Sequence, residues 1–238
     1  MEKEKINLSA VVLCYKEGKS VIEFLNKLKS SIEKRGISYE IIPVANYFLK
    51  DEGKDETPQI LRDLAEKDSH IHPVSIEKHG KFGWDVRSGL ERAVGETIAF
   101  IDGDGQNPPE DVVRIYDELM KDGSDMAQTY RTKRGDGMQR ILNSRIYNFI
   151  LRILFPKVRI LDANSKPKIF TREALNKLEL KSDDWFIDAE IVIQATNLGS
   201  KVSQVPTVFH ENTHRNSFVQ LSSVWEFIRN LVVYRFKK

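Results

Sequence analysis

With 238 residues, 40% hydrophobic and 30% charged, the chain has the size and composition of one substantial globular domain, or at most two small ones. A formal net charge of +2 argues against a dedicated nucleic-acid binder, so no nucleic-acid partner is expected. Cys14 is the only cysteine, which excludes an intrachain disulfide and suits a reducing compartment. The opening residues Met1 to Asn7 lack the apolar core of a signal peptide, and no run reaches the roughly 18 apolar residues that span a bilayer. The expected location is the cytoplasm, with peripheral contact to the inner face of the membrane left open.

Leu8 to Cys14 is a continuous apolar run and predicts a buried strand. Val21, Leu25, Leu28 and Ile32 follow at helical spacing, and Tyr39 to Val44 predicts a second strand. Thr57-Pro58 opens a helix with Ile60, Leu61 and Leu64 inward. A third strand is expected at Ile71 to Ile76, a helix at Trp84 to Val94, and a fourth strand at Thr97 to Ile101. Pro108-Pro109-Glu110-Asp111 starts a helix carrying Val112, Val113, Tyr116 and Leu119, and Met126 to Tyr130 is a further strand. This alternation predicts an α/β fold, a mostly parallel central sheet with helices on both faces.

The second half is less regular. Gln139 to Phe155 predicts a long helix, Lys168 to Thr171 a short extended piece, and Ile187 to Leu198 another helix. Lys201 to Phe209 is strand-like but holds Pro206, which places it at an edge. Phe218 to Phe236 closes the chain as a helix. No linker or repeat divides it, so a single domain over 1–238 is expected. Residues 8–130 would form its regular first half, 131–217 its less regular second half, and 218–238 a C-terminal amphipathic helix.

The most informative stretch is Ile98 to Asp111. An apolar strand runs into two carboxylates one residue apart, Asp102 and Asp104, with Gly103 and Gly105 between and after them. Asp-Gly is ordinary turn chemistry. Yet ligands bind beyond the carboxyl ends of parallel strands, and paired carboxylates there call for a cation, ordinarily a divalent one holding phosphates.

Several segments, in order, resemble the family 2 glycosyltransferases with the GT-A fold, nearest to the dolichyl- and polyprenyl-phosphate sugar synthases. The family's opening strand and turn matches Val11-Val-Leu-Cys-Tyr-Lys-Glu17, and its Gly-rich helix start matches Lys81 to Gly95. Its D-x-D-x-Q-x-P-P-E motif matches Asp102, Asp104, Gln106, Pro108, Pro109 and Glu110. Ser144-Arg145, Asn148, Asp162-Ala-Asn-Ser165, Glu190, Val205-Pro206 and Arg215-Asn-Ser217 match later elements.

The resemblance implies that Asp102 and Asp104 hold Mg²⁺ or Mn²⁺ against a sugar nucleotide's diphosphate. Asp104, Asp162 and Arg215 would be the catalytic set. Tyr15, Glu17, Asn46, Lys81, Asp102, Gln106 and Ser217 would line the donor site. Arg131, Arg145, Ser165, Lys168 and Glu190 would line the acceptor site. Asp188 and Glu190 are two apart on a helix and point in different directions, which leaves Asp188 as the expected solvated one. Arg131-Thr-Lys-Arg134 reads as a mobile basic loop.

Two departures stand out. Ala45-Asn46 replaces the family's Asp-Asp at the second strand's end, where Asp51, Glu52 or Asp55 of a longer loop could restore the contact. Ser165-Lys-Pro-Lys168 replaces Ser-Gly-Phe and adds positive charge on the acceptor side. The implied activity is inverting, metal-dependent sugar transfer from a nucleotide sugar to a polyprenyl phosphate. The alternatives are transfer to a soluble hydroxyl or glycan acceptor, and a non-catalytic nucleotide-sugar-binding protein. The final helix has a wide apolar face and a basic end, Arg229, Arg235, Lys237 and Lys238. Packing on its own domain, contact with anionic lipid and a homodimer contact are its three readings.

Overall fold

The computed structural model describes residues 5–135, 137–211 and 221–236, the side chains at 134 and 221–225 excepted. Six strands form one sheet in the order β2-β1-β3-β5-β4-β6. They are β1 (Leu8–Leu13), β2 (Tyr39–Val44), β3 (Thr97–Asp102), β4 (Met126–Arg134), β5 (Lys168–Thr171) and β6 (Val202–Phe209). β1 pairs in parallel with β2 and β3, and β4 pairs in parallel with β6. Only β5 runs against its neighbours, β3 and β4. The fold is the mostly parallel α/β architecture that the alternating pattern implies.

Among the described residues, eight α-helices surround the sheet: α1 (Ser20–Arg35), α2 (Thr57–Ala65), α3 (Phe82–Arg92), α4 (Asp111–Asp122), α5 (Met138–Leu154), α6 (Arg172–Asn176), α7 (Ile187–Asn197) and α8 (Leu221–Phe236). Strand alternation sends successive side chains to opposite faces, and two cores result. Leu8, Ala10 and Val12 of β1 join Ala99 and Ile101 of β3 under α1 and α4. Val11, Leu13, Ile98 and Phe100 face the other core with α3, α5 and α7. α8 packs beside α5 through Tyr147–Phe227 and Phe155–Tyr234 ring contacts, with Leu231 fully buried.

Two expectations need correction. Ile71–Ile76 makes only isolated parallel bridges beside β2, at Ile71 and Val74: His72 N–H reaches the Ile41 carbonyl and Val74 N–H the Pro43 carbonyl, but Pro43 of β2 has no N–H to complete the ladder between them. Residues 131–134 are not a mobile loop. They continue β4, pairing with Thr207 to Phe209 of β6 across a register shift between Arg131 and Lys133.

The reversed β5 matters for function. The carboxyl ends of β1, β3 and β4 share one rim of the sheet. Because β5 runs the other way, its first residue and the preceding loop, 162–167, arrive at that same rim. Asp102, Arg131, Asp162 and Lys168 are thereby gathered from distant parts of the chain.

Candidate active site

The Asp motif turns sharply off β3. Gly103 donates to the Leu13 carbonyl at 2.9 Å. A Cβ there would meet Val12 Cγ1 at 3.0 Å and the Leu13 carbonyl at 3.1 Å, so glycine lets the turn lie against β1 without pushing those neighbours back. Asp104 Oδ1 accepts the Gln106 backbone N–H at 3.0 Å, which fixes the turn. Gln106 is doubly tied to His210, donating its side-chain amide to the His210 carbonyl at 3.0 Å and accepting the His210 N–H at 2.8 Å. The motif thus anchors the segment leading toward Arg215 and Ser217, which themselves lie outside the described residues.

The residues expected on the acceptor side include a buried charge cluster. Arg131 forms a fork on Asp162, with Nε at 2.6 Å and Nη2 at 2.8 Å from its two oxygens. Lys168, with a fully buried side chain, donates to Asp188 Oδ1 at 2.5 Å and to the Ser165 carbonyl at 2.8 Å. Lys166 lies 2.9 Å from Asp188 Oδ2 and 3.6 Å from Asp102 Oδ2. Its ammonium also sits 4.3 Å from the centre of the Phe82 ring. Burial pushes the Asp188 carboxyl up, but the two lysines outweigh it and hold it below the ordinary carboxylate range. Burial pulls both ammoniums down. Asp102 and Asp188 reverse that for Lys166, whose pKa rises, whereas the nearby Lys166 charge reinforces it for Lys168, whose pKa falls.

Asp188 is therefore not solvated; it is 3% exposed. The helical argument sent the two acids in different directions, but neither is solvated, since Glu190 is buried as well. Glu190 instead accepts the backbone N–H groups of Lys181 and Ser182, at 3.1 and 2.9 Å, and orders the loop before α7. Gly83 of α3 lies against that loop; a Cβ there would meet the Ser182 carbonyl at 2.3 Å. Ser165 is buried and shares a 2.8 Å hydrogen bond with Thr129. Arg145 is exposed on α5.

Of the residues expected at the donor, Tyr15 and Glu17 follow β1 in a turn held from the 47–57 loop. Lys16 has φ of 58°. Its ammonium meets Asp51 at 2.9 Å, its N–H reaches Asp55 at 3.2 Å, and Gly18 donates to Thr57 Oγ1 at 2.8 Å. Asp51 and Asp55 are thus engaged in holding the turn. Asn46 is wholly buried, donating to Asp85 and Ser88 at 2.9 Å each and accepting the Ile76 N–H at 3.0 Å. Lys81 reaches Glu226 of α8 at 2.8 Å.

Sequence reasoning missed one element of this side. Lys78 pairs with Asp85 and lies 4.1 Å from the Tyr15 ring centre, with Phe48 at 5.5 Å. Burial pushes the Asp85 carboxyl up against the pull of Lys78 and Asn46. The available signal was Asp85 on the inward stripe of α3 with Val86 and Gly89, since a buried carboxylate needs a cation.

Among the described residues, no three His, Cys, Asp or Glu side chains gather as a metal cage. Asp102 and Asp104 still fit a hard cation such as Mg²⁺ or Mn²⁺. Such an ion takes one or two carboxylates and completes its shell with water and substrate phosphates.

The family model for glycosyl transferase family 2 matches residues 9–179. The chain belongs to this family. Among its relatives, a dolichol-phosphate mannosyltransferase of Pyrococcus furiosus is 27% identical over 98% of this chain and 64% of the relative. An undecaprenyl-phosphate 4-deoxy-4-formamido-L-arabinose transferase of Pectobacterium atrosepticum is 29% identical over 61% of this chain and 43% of the relative. The chain thus matches less than two thirds of either relative's length. Among solved structures, mannosyl-3-phosphoglycerate synthase of Rubrobacter xylanophilus superposes with a TM-score of 0.75 at 15% identity, covering 98% of this chain and 74% of that one. Glucosyl-3-phosphoglycerate synthase of Mycobacterium tuberculosis, in complex with Mn²⁺, UDP and glucosyl-3-phosphoglycerate, gives 0.71 at 17% identity, over 97% and 80%. At such identities these structures establish the shared GT-A fold. For this family 2 chain, the motif from Asp102 to Glu110 and the cluster around Asp188 lie on the rim where the fold binds ligands.

Proposed function

We propose that this chain is an inverting, metal-dependent glycosyltransferase that moves a sugar from a nucleotide sugar to a polyprenyl phosphate. The observation that carries the proposal is the juxtaposition of the Asp102–Asp104 motif with the buried cations Lys166, Lys168 and Arg131 on one rim. The relatives named for dolichol phosphate and undecaprenyl phosphate support the acceptor class. The Mn²⁺ and UDP named for the mycobacterial synthase support the donor side.

Asp102 and Asp104 would hold the divalent cation on the diphosphate, where it supplies Lewis-acid assistance to the departing nucleoside diphosphate. Tyr15 and Glu17 would meet the nucleoside, and Arg215 the phosphates. A lipid phosphate is already anionic and needs no strong base to attack the anomeric carbon. Asp162 suits that chemistry, because the Arg131 fork engages both of its oxygens and makes it a positioning group. Asn46 and Glu190 are committed to internal hydrogen bonds and are assigned structural roles.

No helix among the described residues is long and apolar enough to cross a membrane. Access to a lipid acceptor would come from α5. Its Met138, Leu142, Ile146, Phe149 and Ile153 are exposed, from 42% to 86%, and recur on one helical face. Arg145 and Arg152 flank that face, which suits an anionic bilayer surface. Peripheral contact is therefore assigned to α5, with α8 packed behind it.

The test is incubation with radiolabelled nucleotide sugars, Mn²⁺ and a short polyprenyl phosphate. Metal-dependent label extracted into organic solvent, lost by about a thousandfold in Asp104→Ala, is the expected result. Transfer to soluble acceptors alone, or tight binding without turnover, would replace the proposal by one of its two rivals.

A further inference from the structure

Lys166 is held on three sides. Asp188 Oδ2 is 2.9 Å away, Asp102 Oδ2 3.6 Å, and the Phe82 ring centre 4.3 Å. Its side chain is 11% exposed. Asp188 already has a closer cation of its own, Lys168, at 2.5 Å with a fully buried side chain. One carboxylate between two ammoniums leaves a positive charge over, and the group that balances it is Asp102. Lys166 therefore spans from the acceptor cluster to the first carboxylate of the Asp motif.

We infer that Lys166 is a tethered cation of the metal–diphosphate site, sharing the Asp102 carboxylate with the divalent cation and weakening that cation's binding to the substrate-free protein. The inference rests on the reading of Asp102 and Asp104 as the cation site. Its physical basis is charge balance. A divalent ion entering beside a buried ammonium meets repulsion that solvent and salt screen poorly. A diphosphate brings the negative charge that both cations need. Metal and donor then bind as a pair, and Lys166 turns from Asp102 toward the phosphates when they arrive. Lys166 acts here as a positioning residue, and the substrate class that completes the site is a nucleoside diphosphate with its bound metal.

The experiment is a titration with Mn²⁺ alone, followed by the electron paramagnetic resonance signal of the free ion. It compares the unsubstituted chain with Lys166→Met, Lys166→Gln and Lys166→Arg. The uncharged variants are expected to bind Mn²⁺ about tenfold more tightly or better, while Lys166→Arg stays near the parent value. Asp104→Asn added to Lys166→Met is expected to abolish the gain. Lys168 still neutralises Asp188 in these variants, and the Gln amide can still donate to it, so a folded reference is kept even if Met proves too apolar. Equal, Asp104-dependent affinity in all four proteins would confine Lys166 to its ion pair with Asp188 and overturn the inference while leaving the cation site standing. Absence of any Asp104-dependent Mn²⁺ binding would overturn both.

Discussion

On the side of the rim proposed for the donor, one ammonium, Lys78, and one amide, Asn46, enclose the Asp85 carboxylate. On the side proposed for the acceptor, Lys166 and Lys168 share Asp188, Lys166 continues to Asp102, and Arg131 grips Asp162. Both arrangements bury charge, but they differ in reach. The donor cluster is closed on itself and shapes the wall beside Tyr15. The acceptor cluster opens onto the Asp motif. The difference teaches where a charge change stays local and where it is felt across the site.

Asp188→Ala probes the open cluster and has the largest expected effect on stability. It leaves two buried ammoniums facing each other, and urea denaturation should show a loss of about 3–5 kcal/mol. A loss below about 1 kcal/mol would mean that water already reaches the cluster, and the contrast between the sides would dissolve.

Asn46→Asp probes the closed cluster by installing the carboxylate that the family pattern carries there. An ionised aspartate cannot donate to Asp85 or Ser88, and it adds a like charge beside Asp85. A destabilisation of about 2–4 kcal/mol is expected in the same assay. An unchanged or higher stability would show that the closed cluster tolerates a second carboxylate.

The smallest effect belongs to an ion pair far from the rim. Burial raises the Asp68 carboxyl, but Lys29 and His70 outweigh it and bring it from 3.8 down to about 2. A depressed carboxylate adds stability above its unfolded value, and that stability is lost as pH falls through the folded one. Asp68→Asn should cost about 1–2 kcal/mol at pH 7, and its gap to the parent should close between pH 4 and pH 2. A gap independent of pH would remove charge as the cause.

These contrasts also explain what the sequence made legible. The donor half declares itself locally. Strands such as Leu8–Leu13 and Tyr39–Val44 are mostly apolar and buried at every position because both sheet faces are covered. The Asp102–Asp104 motif sits beside its own strand. The acceptor cluster depends on contacts distant in sequence, between 102, 131, 162, 166 and 188, which only the reversed β5 brings together. Periodicity could place Asp188 and Glu190 on different helical faces. It could not tell which face met two lysines, because α7 is buried on nearly every side. The 131–134 run looked like a loop because its charges concealed a strand whose partner, β6, lies more than 70 residues away.

The central claim is that the lipid phosphate itself is the nucleophile. The direct measurement is NMR of the product made from a nucleotide sugar and a short polyprenyl phosphate with Mn²⁺. The expected result is conversion of the lipid phosphate monoester, followed by ³¹P, into a sugar phosphodiester whose anomeric configuration is opposite to the donor's. An unchanged lipid phosphate while the nucleotide sugar is consumed, or a product that retains the donor's configuration, would contradict it.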